Sequence, residues 1–182
     1  MEILDKENVL LLARIAEQSE QYDDMIDILK PYFEMKSKSE DYYDEELTSE
    51  ERNLLQVAYK NAVGLRRIAW RAAKKASTTN KFAPYHEHIG EYLQKLENEC
   101  VDICKDILNL ITKHLMPRAK RMKNVEAIVY FLKLQGDYFR YVAEVSEGER
   151  HEKGVERCLK CYNEGIEQAE QMQPGDPTRL SL

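Results

Sequence analysis

Only 7 Gly and 5 Pro punctuate 182 residues, and this scarcity narrows the folds open to the chain more than anything else in it. Gly leaves the backbone too free for a regular element, and Pro cannot donate a backbone hydrogen bond. A chain poor in both is built from long elements, and these prolines stand where helices should start or stop. Leu4, Leu11, Ile15 and Ser19 recur at helical spacing and predict a first helix. Tyr22 to Met35 reads as a second, which Pro31 must shorten or kink. Residues Lys36 to Leu47 hold the acidic run Glu40-Asp41-Tyr42-Tyr43-Asp44-Glu45-Glu46 and read as a solvated loop.

Thr48-Ser49-Glu50-Glu51 marks a helix start, because Thr48 can cap while Glu51 reaches back to the cap amide. The third helix then runs to about Ser77, roughly 45 Å at 1.5 Å per residue. Pro84 opens a fourth that reaches Leu115 and is closed by Pro117. A fifth covers Val125 to Val145, and a sixth runs from Glu149 to Met172. Pro174-Gly175-Asp176-Pro177 breaks the chain, and Thr178 to Leu182 reads as the first turn of a seventh. No Val/Ile-rich alternating stretch marks a strand. The expected class is all-α: one domain over residues 1–182, an antiparallel bundle of about six helices with the start of a seventh.

Composition excludes several functions. A 43% hydrophobic, 33% charged chain fits a soluble globular domain rather than a disordered one. No run approaches the roughly 20 apolar residues of a membrane span, and Met1 to Lys6 lacks the order of a secretory signal. Cys100, Cys104, Cys158 and Cys161 fall in helical sequence and read as reduced thiols of a cytoplasmic protein. A net charge of −6 argues against nucleic acid and anionic membranes as partners. Any bound anion must meet a local basic pocket.

Enzyme motifs are missing: no phosphate-binding loop, dinucleotide fingerprint, nucleophile elbow or zinc-protease helix is present. His86 and His88 come nearest to a metal pair, but on a helix they point about 200° apart. Cys158-x-x-Cys161 reads as core packing, and His114 and His151 sit near helix ends. Neither metal nor cofactor is expected. The informative signal is basic spacing. Lys60 and Arg67 lie seven residues apart on the third helix, as Lys133 and Arg140 do on the fifth. Seven residues are two turns, so each pair shares one stripe and can lean toward a common point. Arg offers a fork matching phosphate oxygens, Lys a compact charge, and Tyr141 a hydroxyl. Asp137 and Glu144 flank Arg140 and can hold guanidinium groups in place. The same pattern also fits a solvated face on which those carboxylates simply neutralise the arginines.

Longer stretches carry a resemblance. Glu51-Arg52-Asn53-Leu54-Leu55, Val57-Ala58-Tyr59-Lys60-Asn61, Arg66-Arg67 and Trp70 resemble the third helix of the 14-3-3 family. Leu132-Lys133, Gly136-Asp137-Tyr138-Phe139-Arg140-Tyr141 and Ala143-Glu144 are similar to its second signature. Tyr22-Asp23-Asp24-Met25 and Lys113-His114-Leu115-Met116-Pro117 match in order, so the resemblance covers nearly the whole chain.

The resemblance implies a cup-shaped homodimer whose groove binds phosphoserine and phosphothreonine segments of client proteins and catalyses nothing. Carried over, Lys60, Arg67 and Arg140 contact the phosphate and Tyr141 donates its hydroxyl. Lys133 lies farther along the peptide, and Asn53 and Val57 line the groove. It also implies dimer contacts at Ile15, Ala16 and Ser19 against Ala73, Ala76, Tyr92 and Leu96, with an Asp24–Lys95 ion pair across the interface. Gln21 stands where an arginine usually pairs with Glu99, so one interfacial pair is expected to be lost. Ala69 replaces a serine that some relatives phosphorylate to dissociate dimers. Family members continue through further helices beyond the position of Leu182, so the expectation here is an amino-terminal portion of the fold. Two functions follow: a phosphopeptide-binding adaptor, or a dimerising structural fragment with little peptide affinity.

Overall fold

A computed structural model describes residues 6–38 and 47–182, and the acidic run Glu40 to Glu46 lies outside them. The long helices are α1 (Lys6–Gln18), α2 (Tyr22–Lys38), α3 (Ser49–Ser77) and α4 (His86–Leu110). The short α5 (Met116–Arg121), then α6 (Val125–Val145), α7 (Glu149–Ala169) and a last turn α8 (Pro177–Leu180) complete the chain. The fold is all-α, with no strand among the described residues. Short connections make neighbours into hairpins: α1 packs on α2, α3 on α4 and α6 on α7, while α4 also packs on α6. Leu29, Phe33, Leu55, Tyr59, Ile107 and Tyr138 are buried in one core, which fixes α3 and α6 relative to each other.

Two prolines act differently from the sequence expectation. α2 runs through Pro31 to Lys38. Pro31 and Asp27, whose carbonyl loses its helical donor, are both exposed, so water can replace the missing bond. Pro117 does not end the fourth helix either. A wider π turn over Ile111–Leu115 leads into α5, with the Met116 amide bonded to the Ile111 carbonyl. Widening the helix spreads the backbone where the proline ring would meet the carbonyl four residues back. Pro84 lies inside a 3₁₀ segment (Asn80–Tyr85), so α4 itself starts at His86.

The start of α3 is as expected. Glu51 N–H donates to Thr48 Oγ1 at 3.1 Å, and Thr48 N–H donates to Glu51 Oε2 at 2.7 Å. Lys36, expected at the head of a solvated loop, is instead on α2 and 1% exposed, with its ammonium 2.9 Å from Glu51 Oε1. Tyr32 also donates to Glu51 Oε1. Burial opposes ionisation of Glu51, but Tyr32, Lys36 and the Thr48 amide together hold its carboxyl below the ordinary value. α2 is thereby tied to the first turn of α3. Between α6 and α7, a Cβ on Gly154 would lie 3.1 Å from the Ala143 backbone nitrogen, so any larger residue would press the two helices apart by a few tenths of an ångström.

Candidate anion site between α3 and α6

One face of α3 and one face of α6 meet at a cavity of about 140 Å³. Lys60 reaches it from α3, and Lys133, Arg140 and Tyr141 reach it from α6, with Asp137 in its wall. Arg67, two turns beyond Lys60, lays its guanidinium 3.9 Å from the centre of the Tyr141 ring. The Arg140 guanidinium lies 4.7 Å from the same centre. Arg67 and Arg140 thus share the Tyr141 ring as a neighbour, and Lys60, Lys133 and Arg140 line the cavity beside it. Arg66 turns the other way, to Asp23 at 2.6 Å and Glu99 at 3.6 Å. Asn53 and Val57 lie on the same α3 stripe but outside the cavity wall; Asn53 is exposed and Val57 packs on the core.

Two carboxylates order the cluster. Asp137 lies 2.6 Å from Lys133 Nζ and 3.4 Å from Arg140 Nη2. Glu144 does not hold Arg140; it reaches across to α3, accepting from Arg67 Nε at 2.8 Å and Arg71 Nε at 2.6 Å. Burial works against both acids, yet their cationic partners keep both carboxyls below the ordinary range, so both are charged at neutral pH. Burial works against the Arg140 charge as well, and its neighbours reverse that, raising its pKa. Five cations against two carboxylates leave a local surplus of three positive charges in a chain of net charge −6. Lys60 is exposed and has no ion-pair partner among the described residues, and the same holds for hydrogen bonds to the Tyr141 hydroxyl. Both are available to a ligand.

Sequence reasoning missed Arg71 and Tyr162. Arg71 lies four residues after Arg67 on the same stripe, a signal that was present in the spacing. Tyr162, on α7, donates to Asp137 Oδ1 at 2.7 Å. Its ring passes where a Cβ on Gly136 would stand, only 2.7 Å away. A glycine inside a helical signature was the one available hint.

A second surface carries apolar side chains in solvent. Leu11, Leu12 and Ile15 on α1 are 49–54% exposed, Leu65 and Ile68 on α3 are 53% and 64%, and Tyr92 on α4 is 51%. Of the residues expected in a dimer contact, Ile15, Ser19, Asp24, Tyr92 and Lys95 are exposed and Ala76 is half-buried. Ala16, Ala73 and Leu96 are largely buried within the chain itself. On α1 the inward stripe is Val9, Ala13 and Ala16, which leaves Leu11, Leu12 and Ile15 outside. Within the chain, Glu99 is met by Arg66 and by Lys95 at 3.8 Å, while Gln21 donates to the Ser19 carbonyl. His86 and His88 are exposed, and no cluster among the described residues could hold a metal ion. No helix among them is long and apolar enough to cross a membrane.

Fold and cluster together define an all-helical protein with a prearranged cationic corner between its third long helix and its fifth. The chain belongs to the 14-3-3 family: the profile described as 14-3-3 protein matches residues 12–182. It is 41% identical over 181 residues to 14-3-3 protein zeta of Bombyx mori, covering 98% of this chain and 69% of that protein. It is 39% identical over 186 residues to a 14-3-3 protein of Giardia intestinalis, covering 100% of this chain and 71% of the relative. Against human 14-3-3 protein beta/alpha it is 40% identical over 181 residues, covering 98% and 69%.

Proposed function

We propose that this protein is a non-catalytic adaptor that docks phosphoserine or phosphothreonine segments of client proteins, as its family membership implies. The phosphate settles between Lys60, Arg67 and Arg140, with the Tyr141 hydroxyl donating to it; Lys133, Asn53 and Val57 serve the flanking peptide. The observation that carries this reading is the convergence of Arg67 and Arg140 on the Tyr141 ring beside the cavity that Lys60 enters. A phosphoserine brings about −1.5 to −2 charges and three acceptor oxygens, which match the forked donors on offer. No bond is made or broken. The protein works as a homodimer through the exposed apolar face of α1, α3 and α4, in the cytoplasm, without cofactor, nucleic acid or membrane.

The test compares a fluorescent phosphopeptide with its unphosphorylated twin by anisotropy, for the wild type and for Arg140→Ala. The wild type should prefer the phosphopeptide, and Arg140→Ala should abolish that preference with helicity intact. Unchanged affinity in the variant removes Arg140 from the site.

A second reading, a dimerising protein with little peptide affinity, draws support from Asp137 and Glu144, which already offset part of the cationic charge. Absence of any preference between the twin peptides at low salt would favour it.

A further inference from the structure

Tyr162 is the one residue of the cationic cluster that carries no formal charge and comes from a third helix, α7. Its hydroxyl donates to Asp137 Oδ1 at 2.7 Å. Arg140 Nη2 approaches that same oxygen only to 3.4 Å, beyond the 2.7–2.9 Å usual for an N–H donor to a carboxylate. The other oxygen, Oδ2, is taken by Lys133 at 2.6 Å. Each oxygen of Asp137 therefore has one close donor, and Arg140 makes only a long third contact, with half of its side chain exposed.

We infer that Tyr162 is a positioning residue for the anion site, an inference that rests on the proposed function. By occupying Asp137 Oδ1, its hydroxyl keeps the carboxylate from closing on Arg140, so that guanidinium stays over the Tyr141 ring and free to meet a phosphate. Three features support this division of labour. The Tyr162 ring packs against Gly136, where a Cβ would lie 2.7 Å from it and force the ring to shift. Asp137 is held ionised despite burial, so it would attract Arg140 strongly if a donor were withdrawn. The phenol is itself held protonated, because burial and the hydrogen bond to Asp137 push its pKa up to about 12. It therefore remains a donor across the working pH range. Tyr162 touches no ligand in this scheme; it acts mainly through Asp137, and its hydroxyl also lies within reach of the Arg140 guanidinium.

Tyr162→Phe keeps the ring in place and removes only the donor. Anisotropy titration of a fluorescent phosphopeptide should show affinity lower by about tenfold, the order expected from one charge-assisted hydrogen bond. A double-mutant cycle separates positioning from packing. In an Asp137→Asn background, Tyr162→Phe should cost clearly less affinity than in the wild type, about threefold or less, since the main group it acts through has lost its charge. Equal losses in both backgrounds overturn the inference, as does an unchanged affinity for Tyr162→Phe alone. If the wild type fails to distinguish the phosphopeptide from its unphosphorylated twin, the proposed function itself fails. A wild type that discriminates beside an unaffected Tyr162→Phe sinks only the role of Tyr162.

Discussion

Lys36→Met puts the buried tie between α2 and α3 to a quantitative test. Lys36 and Glu51 are 1% and 0% exposed, so losing the ammonium strands a carboxylate away from water. Breaking one side of such a pair costs about 3–5 kcal/mol. The lower end applies here, because the Tyr32 hydroxyl and Thr48 amide remain and Lys6 Nζ lies 4.0 Å from Glu51 Oε1. For a chain of this size each kcal/mol moves the melting temperature by about 2–4 °C, so a fall of about 6–12 °C is expected near neutral pH. The pH dependence then identifies the cause. In the wild type Glu51 has a folded pKa below its unfolded value. It contributes stability above the unfolded pKa, and that contribution is lost as pH falls through the folded one. In the variant burial prevails, the folded pKa rises above the unfolded value, and the sign reverses. The penalty is then full at high pH and shrinks as acid protonates Glu51. Thermal unfolding followed by circular dichroism at about pH 7 and about pH 5 reads both effects. A loss below about 1 kcal/mol, or a gap between variant and wild type that widens on acidification, would refute the reasoning.

Phosphopeptide affinity should rise with pH through about 6, where a phosphoserine gains its second charge, because the cluster carries surplus positive charge. A flat anisotropy profile between about pH 5 and about pH 8 would count against recognition of the dianion. Ile68→Glu alters a side chain that is 64% exposed, so the fold should survive while the homodimer dissociates; light scattering after size-exclusion chromatography should show the mass halved. A wild type that is already monomeric would remove the α1–α3–α4 face from consideration as an interface.

Local rules made much of the fold legible. The Thr48–Glu51 capping box, the end of α3 at Ser77, the span of α6 and the turn after Pro177 all follow from neighbours a few residues apart. Pro31 and Pro117 were misleading because a proline is judged by the helix interior, whereas one faces solvent and the other follows a π turn. Lys36 was read as solvated because nothing in its own segment announces Glu51, fifteen residues on. The cationic stripes were visible as spacing, but their division of carboxylates was not. Glu144 serves α3, and Asp137 is shared with α7, contacts that only the packed helices reveal. On α1 the side that Ala16 takes was not legible, because small residues suit either side of a helix; here it packs inward.

The knot of Lys36, Tyr32, Glu51 and Thr48 has one further effect. It fastens the last turns of α2 and the first turn of α3 directly to each other. Lys38 and Leu47, where the chain leaves α2 and approaches α3, thus stand beside moored points. Lys60 and Arg67 therefore take their places on a helix whose first turn is already anchored to α2.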